Sequence, residues 1–173
     1  MNKHNIIPAT IPFFDPKKYT GDWYSLASMP LIYEKDCYRS MANYSYDCIT
    51  GQIKLVNTCI KADGTCYTRS GVGRIPDSES PGKLIIKFTD GLPSGSLEPS
   101  VSTIPADPGW SPYWIHWTDY DNYSIVGVPS GEFLWILGRK KQTTADNLFK
   151  LATLIKTLGY DLNKINIGKN VMV

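Results

Sequence analysis

Along the first 140 residues, apolar and aromatic side chains alternate with polar ones in short segments cut apart by Gly and Pro. A period of two belongs to a strand with one buried face. The pattern predicts strands over 21–28, 42–47, 52–60, 65–75, 83–88, 113–120, 123–128 and 133–139. Turn-forming pairs join several of them: Thr50-Gly51 links the second to the third, Asp63-Gly64 the third to the fourth, and Asp121-Asn122 the sixth to the seventh. Consecutive strands are therefore mostly hairpin neighbours. Eight antiparallel strands in sequential order lose their exposed edges by closing on themselves, and the interior then suits side chains or one small ligand. The predicted fold is all-β, an eight-stranded antiparallel up-and-down β-barrel.

Beyond residue 140 the period changes to 3.6. Thr143 or Thr144 can cap a helix at about 144–158, with Leu148, Leu151, Ala152, Ile155 and Leu158 on one face and Gly159 placed to end it. That stripe is expected to pack on the outside of the barrel. The chain divides into an N-terminal arm (1–12), a barrel domain that includes the helix (13–165) and a C-terminal tail (166–173), and the stretch from Tyr160 to Val173 is expected to add a short strand and then fray. Residues 90–112, rich in Pro, Gly and Ser, form a connection far longer than a hairpin needs.

Composition narrows the function classes. With 173 residues, 42% hydrophobic and 20% charged, this is one globular core. A net charge of +2 lacks the basic excess that neutralises nucleic-acid phosphates, so no nucleic-acid partner is expected. No apolar run approaches the ~18 residues needed to cross a bilayer, and Pro8 and Pro12 interrupt the apolar part of the N-terminal stretch. Neither a transmembrane helix nor a signal peptide is visible. Gly-x-Ser-x-Gly, Walker and paired-cysteine redox motifs are missing. His4 and His116 are isolated and no two cysteines have zinc spacing, so no metal and no cofactor is expected.

Three segments carry a family resemblance: Tyr19-Thr20-Gly21-Asp22-Trp23-Tyr24 opening the first strand, Thr118-Asp119-Tyr120-Asp121-Asn122-Tyr123 at the turn between the sixth and seventh, and Arg139 ending Phe133-Leu134-Trp135-Ile136-Leu137-Gly138-Arg139. In this order, with the helix and Gly159-Tyr160-Asp161 behind them, they resemble the lipocalin family over residues 13–165. The likeness is greatest to its bacterial outer-membrane, apolipoprotein D and plant chloroplastic members. First and last strands must pair to close a barrel, so Trp23 and Arg139 meet at one end, where a guanidinium over an indole is worth about 0.5–2 kcal/mol. The resemblance implies the same floor, with Gly21 and Asp119 shaping the adjoining chain.

Taking Trp23 as inward, and the family's pattern for the other strands, places Ala27, Ala42, Tyr44, Leu55, Asn57, Leu84, Ile86, Phe88, Tyr113, Trp117, Phe133 and Trp135 toward the lumen. The implied function is binding and sequestration or transport of a small hydrophobic ligand such as a lipid, fatty acid, retinoid or sterol, without catalysis. The alternative is an enzyme acting on a lipid or carotenoid, because Asp36-Cys37, Cys59 and Thr68-Arg69-Ser70 are similar to the lipocalin domain of a de-epoxidase. No inward Lys or Arg stands out, which favours neutral or weakly polar ligands held by Asn57 and the tyrosine hydroxyls. The 90–112 loop falls at the open end and is expected to act as a lid or partner surface, with Trp110, Tyr113 and Trp114 touching the ligand or its carrier.

Among the cysteines, Cys37, Cys59 and Cys66 gather near the open end. One bridge is expected, from Cys37 to Cys59 or to Cys66, leaving Cys48 as a buried or half-buried thiol. Resemblance implies a secreted or extracytoplasmic location and a monomer or homodimer, and membrane association would lack a visible anchor.

Overall fold

A computed structural model of the chain describes residues 7–29, 34, 36–89 and 109–168. Eight strands form a ring: β1 (Gly21–Met29), β2 (Arg39–Asp47), β3 (Gln52–Ile60), β4 (Cys66–Arg74), β5 (Lys83–Phe88), β6 (Ser111–Thr118), β7 (Tyr123–Gly127) and β8 (Leu134–Gly138). Each pairs antiparallel with its sequence neighbour, and β1 pairs with both β2 and β8, which closes the barrel. Helix α1 (Ala145–Thr157) follows, and β9 (Asn166–Ile167) adds to the outside of β1. The expected eight-stranded up-and-down barrel with an external helix is the architecture of this chain.

The helix begins where its sequence says. The Thr144 side chain accepts a hydrogen bond from the Asn147 amide at 3.2 Å, and Gly159 takes a left-handed φ of 89° after the last turn. Leu151, Ile155 and Leu158 pack on Leu26, Ile125, Leu134 and Ile136 of the barrel wall. Each such burial contributes about 1.5–3 kcal/mol, which is what fixes an isolated helix of this length in place.

Two β-bulges decide which residues face that helix. β1 slips by one residue against β8 between Ser25 and Ala27, and β6 slips against β7 between Ile115 and Trp117. A slip of one residue turns every later side chain to the opposite face. Ala27 and Trp117, expected in the lumen, therefore lie in the layer beneath α1. An apolar pattern conceals this, because both faces of β1 and β6 are covered.

The arm before β1 is strapped to the barrel. Its Ile11 amide donates to the Ile115 carbonyl at 3.0 Å, and its Ala9 carbonyl accepts from His116 Nδ1 at 2.6 Å. His116 Nε2 in turn accepts from the Tyr160 hydroxyl at 2.8 Å. One buried imidazole thus ties the arm, β6 and the segment after α1 together, and its burial holds the ring below the ordinary histidine pKa.

Cys37 and Cys59 form a disulfide with Cα atoms 5.4 Å apart. Of the two pairings expected, this is the one present, and Cys66 is an exposed thiol. Cys48, expected buried or half-buried, is also exposed, because it lies past the end of β2 in the turn leading to Gly51.

Candidate functional site: the barrel lumen

The floor of the barrel is built on Trp23, which is wholly buried. The Arg139 guanidinium carbon lies 3.8 Å from the centre of its ring. That guanidinium also donates to four main-chain carbonyls: Nε to Tyr120 at 2.9 Å, Nη1 to Thr20 at 2.8 Å and Asp22 at 3.1 Å, and Nη2 to Lys18 at 3.0 Å. A planar fork of fixed donors can stitch separate chain segments in this way, as an ammonium cannot. Gly21 sits at φ 96°, and a Cβ there would lie 3.3 Å from Arg139 Nη1. Both the backbone conformation and the close approach call for glycine. Asp119 orders the opposite turn, its carboxylate accepting the amides of Asn122 and Tyr123, each at 2.8 Å.

Above the floor the lumen is closed by its own tyrosines. The hydroxyls form a chain in one consistent direction: Tyr44 donates to Tyr113 at 2.7 Å, Tyr113 to Tyr19 at 3.4 Å, Tyr19 to Ser124 at 2.9 Å and Ser124 to the Trp117 carbonyl at 3.4 Å. Burial pushes the Tyr19 hydroxyl up to about 12 and also raises those of Tyr44 and Tyr113, so all remain protonated donors. The cavity beside them, bounded by Phe14, Tyr19, Ile53, Gly73 and Tyr113, is about 10 Å³, room for about one water. Each of these hydroxyls gives its proton to the next group in the chain.

Apolar and aromatic side chains continue around this tyrosine layer. Ala42, Tyr44, Leu55, Leu84 and Tyr113 are buried in the lumen core, with Ile86, Phe88 and Trp135 packed against it. Asn57 pairs with Ala42 on one side and Arg69 on the other, sharing their face. Phe133 precedes β8 and stacks on Trp135 with ring centres 6.3 Å apart. The Trp135 indole N–H donates to the Glu34 carboxylate at 2.9 Å.

Three residues of this region were not assigned to the lumen from sequence. Tyr19 lies before the first strand, Glu34 lies in a connection, and Arg69 is an inward cation where none stood out. The signal for Arg69 was present: it stands two residues before Gly71 on one strand, so the period of two puts it on the same face. Trp114, expected at the ligand, is next to inward Tyr113 on β6 and faces outward, and Trp110, also expected there, precedes the strand. Arg74 covers Trp110 at 4.6 Å from its ring and Lys83 covers Trp114 at 5.0 Å. The lid expected of the long loop lies in residues 90–108, outside the described residues. Among the described residues, no group of three or more His, Cys, Asp or Glu side chains could hold a metal, and no helix is long and apolar enough to cross a membrane.

Comparisons agree with this geometry. The model of the lipocalin-like domain family matches residues 14–170. Apolipoprotein D of Macaca fascicularis is 30% identical over 162 residues, covering 89% of this chain and 76% of that protein. Apolipoprotein D of Mus musculus is 31% identical over 160 residues, covering 88% and 75%. Insecticyanin of Manduca sexta superposes with a TM-score of 0.68 at 22% identity, over 94% of this chain and 83% of that one. With the family model spanning nearly the whole barrel and the floor residues in place, the chain belongs to the lipocalin family.

Proposed function

We propose that this lipocalin binds a small hydrophobic ligand in the upper half of its barrel and carries or sequesters it. One observation carries the reading: a closed sheet stoppered at one end by Trp23 under Arg139, whose inward wall toward the other end is apolar and aromatic at Ala42, Leu55, Ile86, Phe88 and Trp135. Such a wall removes a ligand's apolar surface from water at about 25 cal/mol per Å², less the cost of association and ordering. Ala42, Tyr44, Leu55, Asn57, Leu84, Ile86, Phe88, Tyr113, Phe133 and Trp135 are the proposed lining. Tyr44, Leu84 and Tyr113 form its base rather than its sides.

Native mass spectrometry of the purified protein, combined with quenching of Trp135 fluorescence by added retinoid, sterol and acyl ligands, tests this. The expected result is a saturable one-to-one complex with unmodified ligand recovered on denaturation. An empty protein that takes up none of these ligands refutes the proposal, and a chemically altered ligand refutes simple carriage.

A further inference from the structure

His116 owes its orientation to the bulge in β6. Ile115 pairs with Val126 and Trp117 with Ile125, so His116 between them has no register partner on β7. A bulge leaves its extra residue out of the ladder and re-aims the side chain. Here the ring is aimed between the N-terminal arm and the segment after α1, at the Ala9 carbonyl and the Tyr160 hydroxyl. Two glycines make room for what meets there. A Cβ on Gly127 would lie 2.7 Å from His116 Nε2 and would collide with the Tyr160 hydroxyl. A Cβ on Gly82, just before β5, would lie 2.7 Å from the Ile11 carbonyl oxygen and 3.0 Å from the Ile11 side chain. Both approaches are ones that only glycine permits, so the barrel wall itself is shaped as a seat for the arm.

The arm's hold on that seat is light. Among the described residues, 7–12 are joined to β6 by the Ile11 amide on the Ile115 carbonyl at 3.0 Å and by His116 Nδ1 on the Ala9 carbonyl at 2.6 Å. Ile7 and Ala9 are exposed. The other side of the ring is firmly packed: Tyr160 belongs to the apolar layer under α1, and its hydroxyl also reaches the Val128 carbonyl at 3.3 Å. No counter-charge faces the imidazole among the described residues. The arm from 7 to 12 has no ionisable side chain, Lys83 beside Gly82 lies over the Trp114 ring, Glu132 between β7 and β8 accepts from the Ser130 hydroxyl, and Asp161 accepts the Asn163 amide. An imidazolium formed at this buried position would lack both water and a carboxylate, a costly state. The wall that yields most readily to let water reach it is the one with the fewest buried contacts, the arm.

We infer that His116 is a proton-operated latch: the neutral ring holds the arm on β6, and protonation lifts residues 7–12 away while the eight strands stay folded. The lifted segment leads directly into Phe14 and Pro16, which wall the small cavity beside Tyr19. The latch works whether or not the barrel carries a ligand. Burial holds the docked ring below its ordinary value of 6.5, whereas the lifted ring titrates near it. The latch is therefore closed above about pH 6.5 and weakens as pH falls, by about three- to tenfold between pH 7.5 and 5.5 for one proton. Hydrogen exchange of the Ile11 amide in the whole chain, corrected for the intrinsic effect of pH on exchange, measures the opening. Its opening constant is expected to exceed that of Leu55 in β3 and to rise about three- to tenfold at pH 5.5, with the far-ultraviolet circular dichroism unchanged. His116→Gln is expected to give one opening constant at both pH values. An Ile11 opening constant no larger than that of Leu55 overturns the latch, because the arm then leaves only when the barrel unfolds. A constant that does not change with pH, or a rise that persists in His116→Gln, overturns it too. Should the variant fail to fold, the nuclear magnetic resonance titration of the His116 ring in the wild type decides: a ring that titrates at or above 6.5 gives a proton no reason to lift the arm.

Discussion

Removing the Trp23 indole tests how the barrel is closed. Trp23→Ala deletes a side chain with no exposed surface, packed against Tyr19 with ring centres 4.9 Å apart and beneath Arg139 at 3.8 Å. Truncating a buried Trp to Ala costs about 3–5 kcal/mol through lost transfer energy and the cavity left behind. For a chain of this length each kcal/mol lowers the melting temperature by about 2–4 °C, so a fall of about 6–20 °C is expected. The indole N–H, which donates to the Tyr19 carbonyl at 3.0 Å, is lost as well, leaving that carbonyl to water or to rearrangement. The cation–π component is separated by a double-mutant cycle with Arg139→Met, in which a coupling of about 1 kcal/mol is expected. Urea unfolding followed by far-ultraviolet circular dichroism measures all four members of the cycle. A Trp23→Ala loss below about 1 kcal/mol would show that the indole is not the stopper. A coupling indistinguishable from zero would show that its stacking with Arg139 is mere proximity.

Two further outcomes follow from the same contacts. The Cys37–Cys59 bridge spans 22 residues of sequence, and the Cys37→Ser/Cys59→Ser double variant should lose about 3 kcal/mol in urea unfolding. A thiol reagent should count two reactive sulfurs in the native protein and four after reduction in denaturant, and three or four native thiols would contradict the pairing. His116 is held neutral by burial, so its folded pKa lies below that of the unfolded chain, near 6.5. Below about pH 6.5 the unfolded state takes up a proton that the folded state refuses, and stability falls with pH by up to about 1.4 kcal/mol per unit; above it the contribution is fully present. His116→Gln should flatten the urea midpoint between pH 7.5 and 5.5 relative to wild type, and an identical slope would clear His116 of the effect.

Most of the architecture was legible because it depends on local pattern. Strand period, hairpin residues and the cap at Thr144 act over a few positions, and β3 and β5 have the expected limits. Sequential hairpins allow few topologies, so closure followed from strand number and the need to remove edges. The pairing of Trp23 with Arg139 was readable for the same reason: it is a consequence of closing first strand on last.

What the chain alone could not decide is where its register slips. Ala27 and Trp117 are apolar residues in strands buried on both faces, and no alternation tells lumen from helix side until the bulges after Ser25 and Ile115 are seen. The mutual satisfaction of Tyr19, Tyr44, Tyr113 and Ser124 joins residues up to 105 apart, a separation at which only tertiary packing sets distances. Arg69 shows the division most plainly: its strand period already assigned it to a face, but a cation is read as solvent-facing until Phe88 is found 4.0 Å away. Sequence determined the barrel and its stopper, since both arise from neighbouring strands. Tertiary structure decided which side chains line the hollow, since that depends on strand slips and on side chains brought together across the ring.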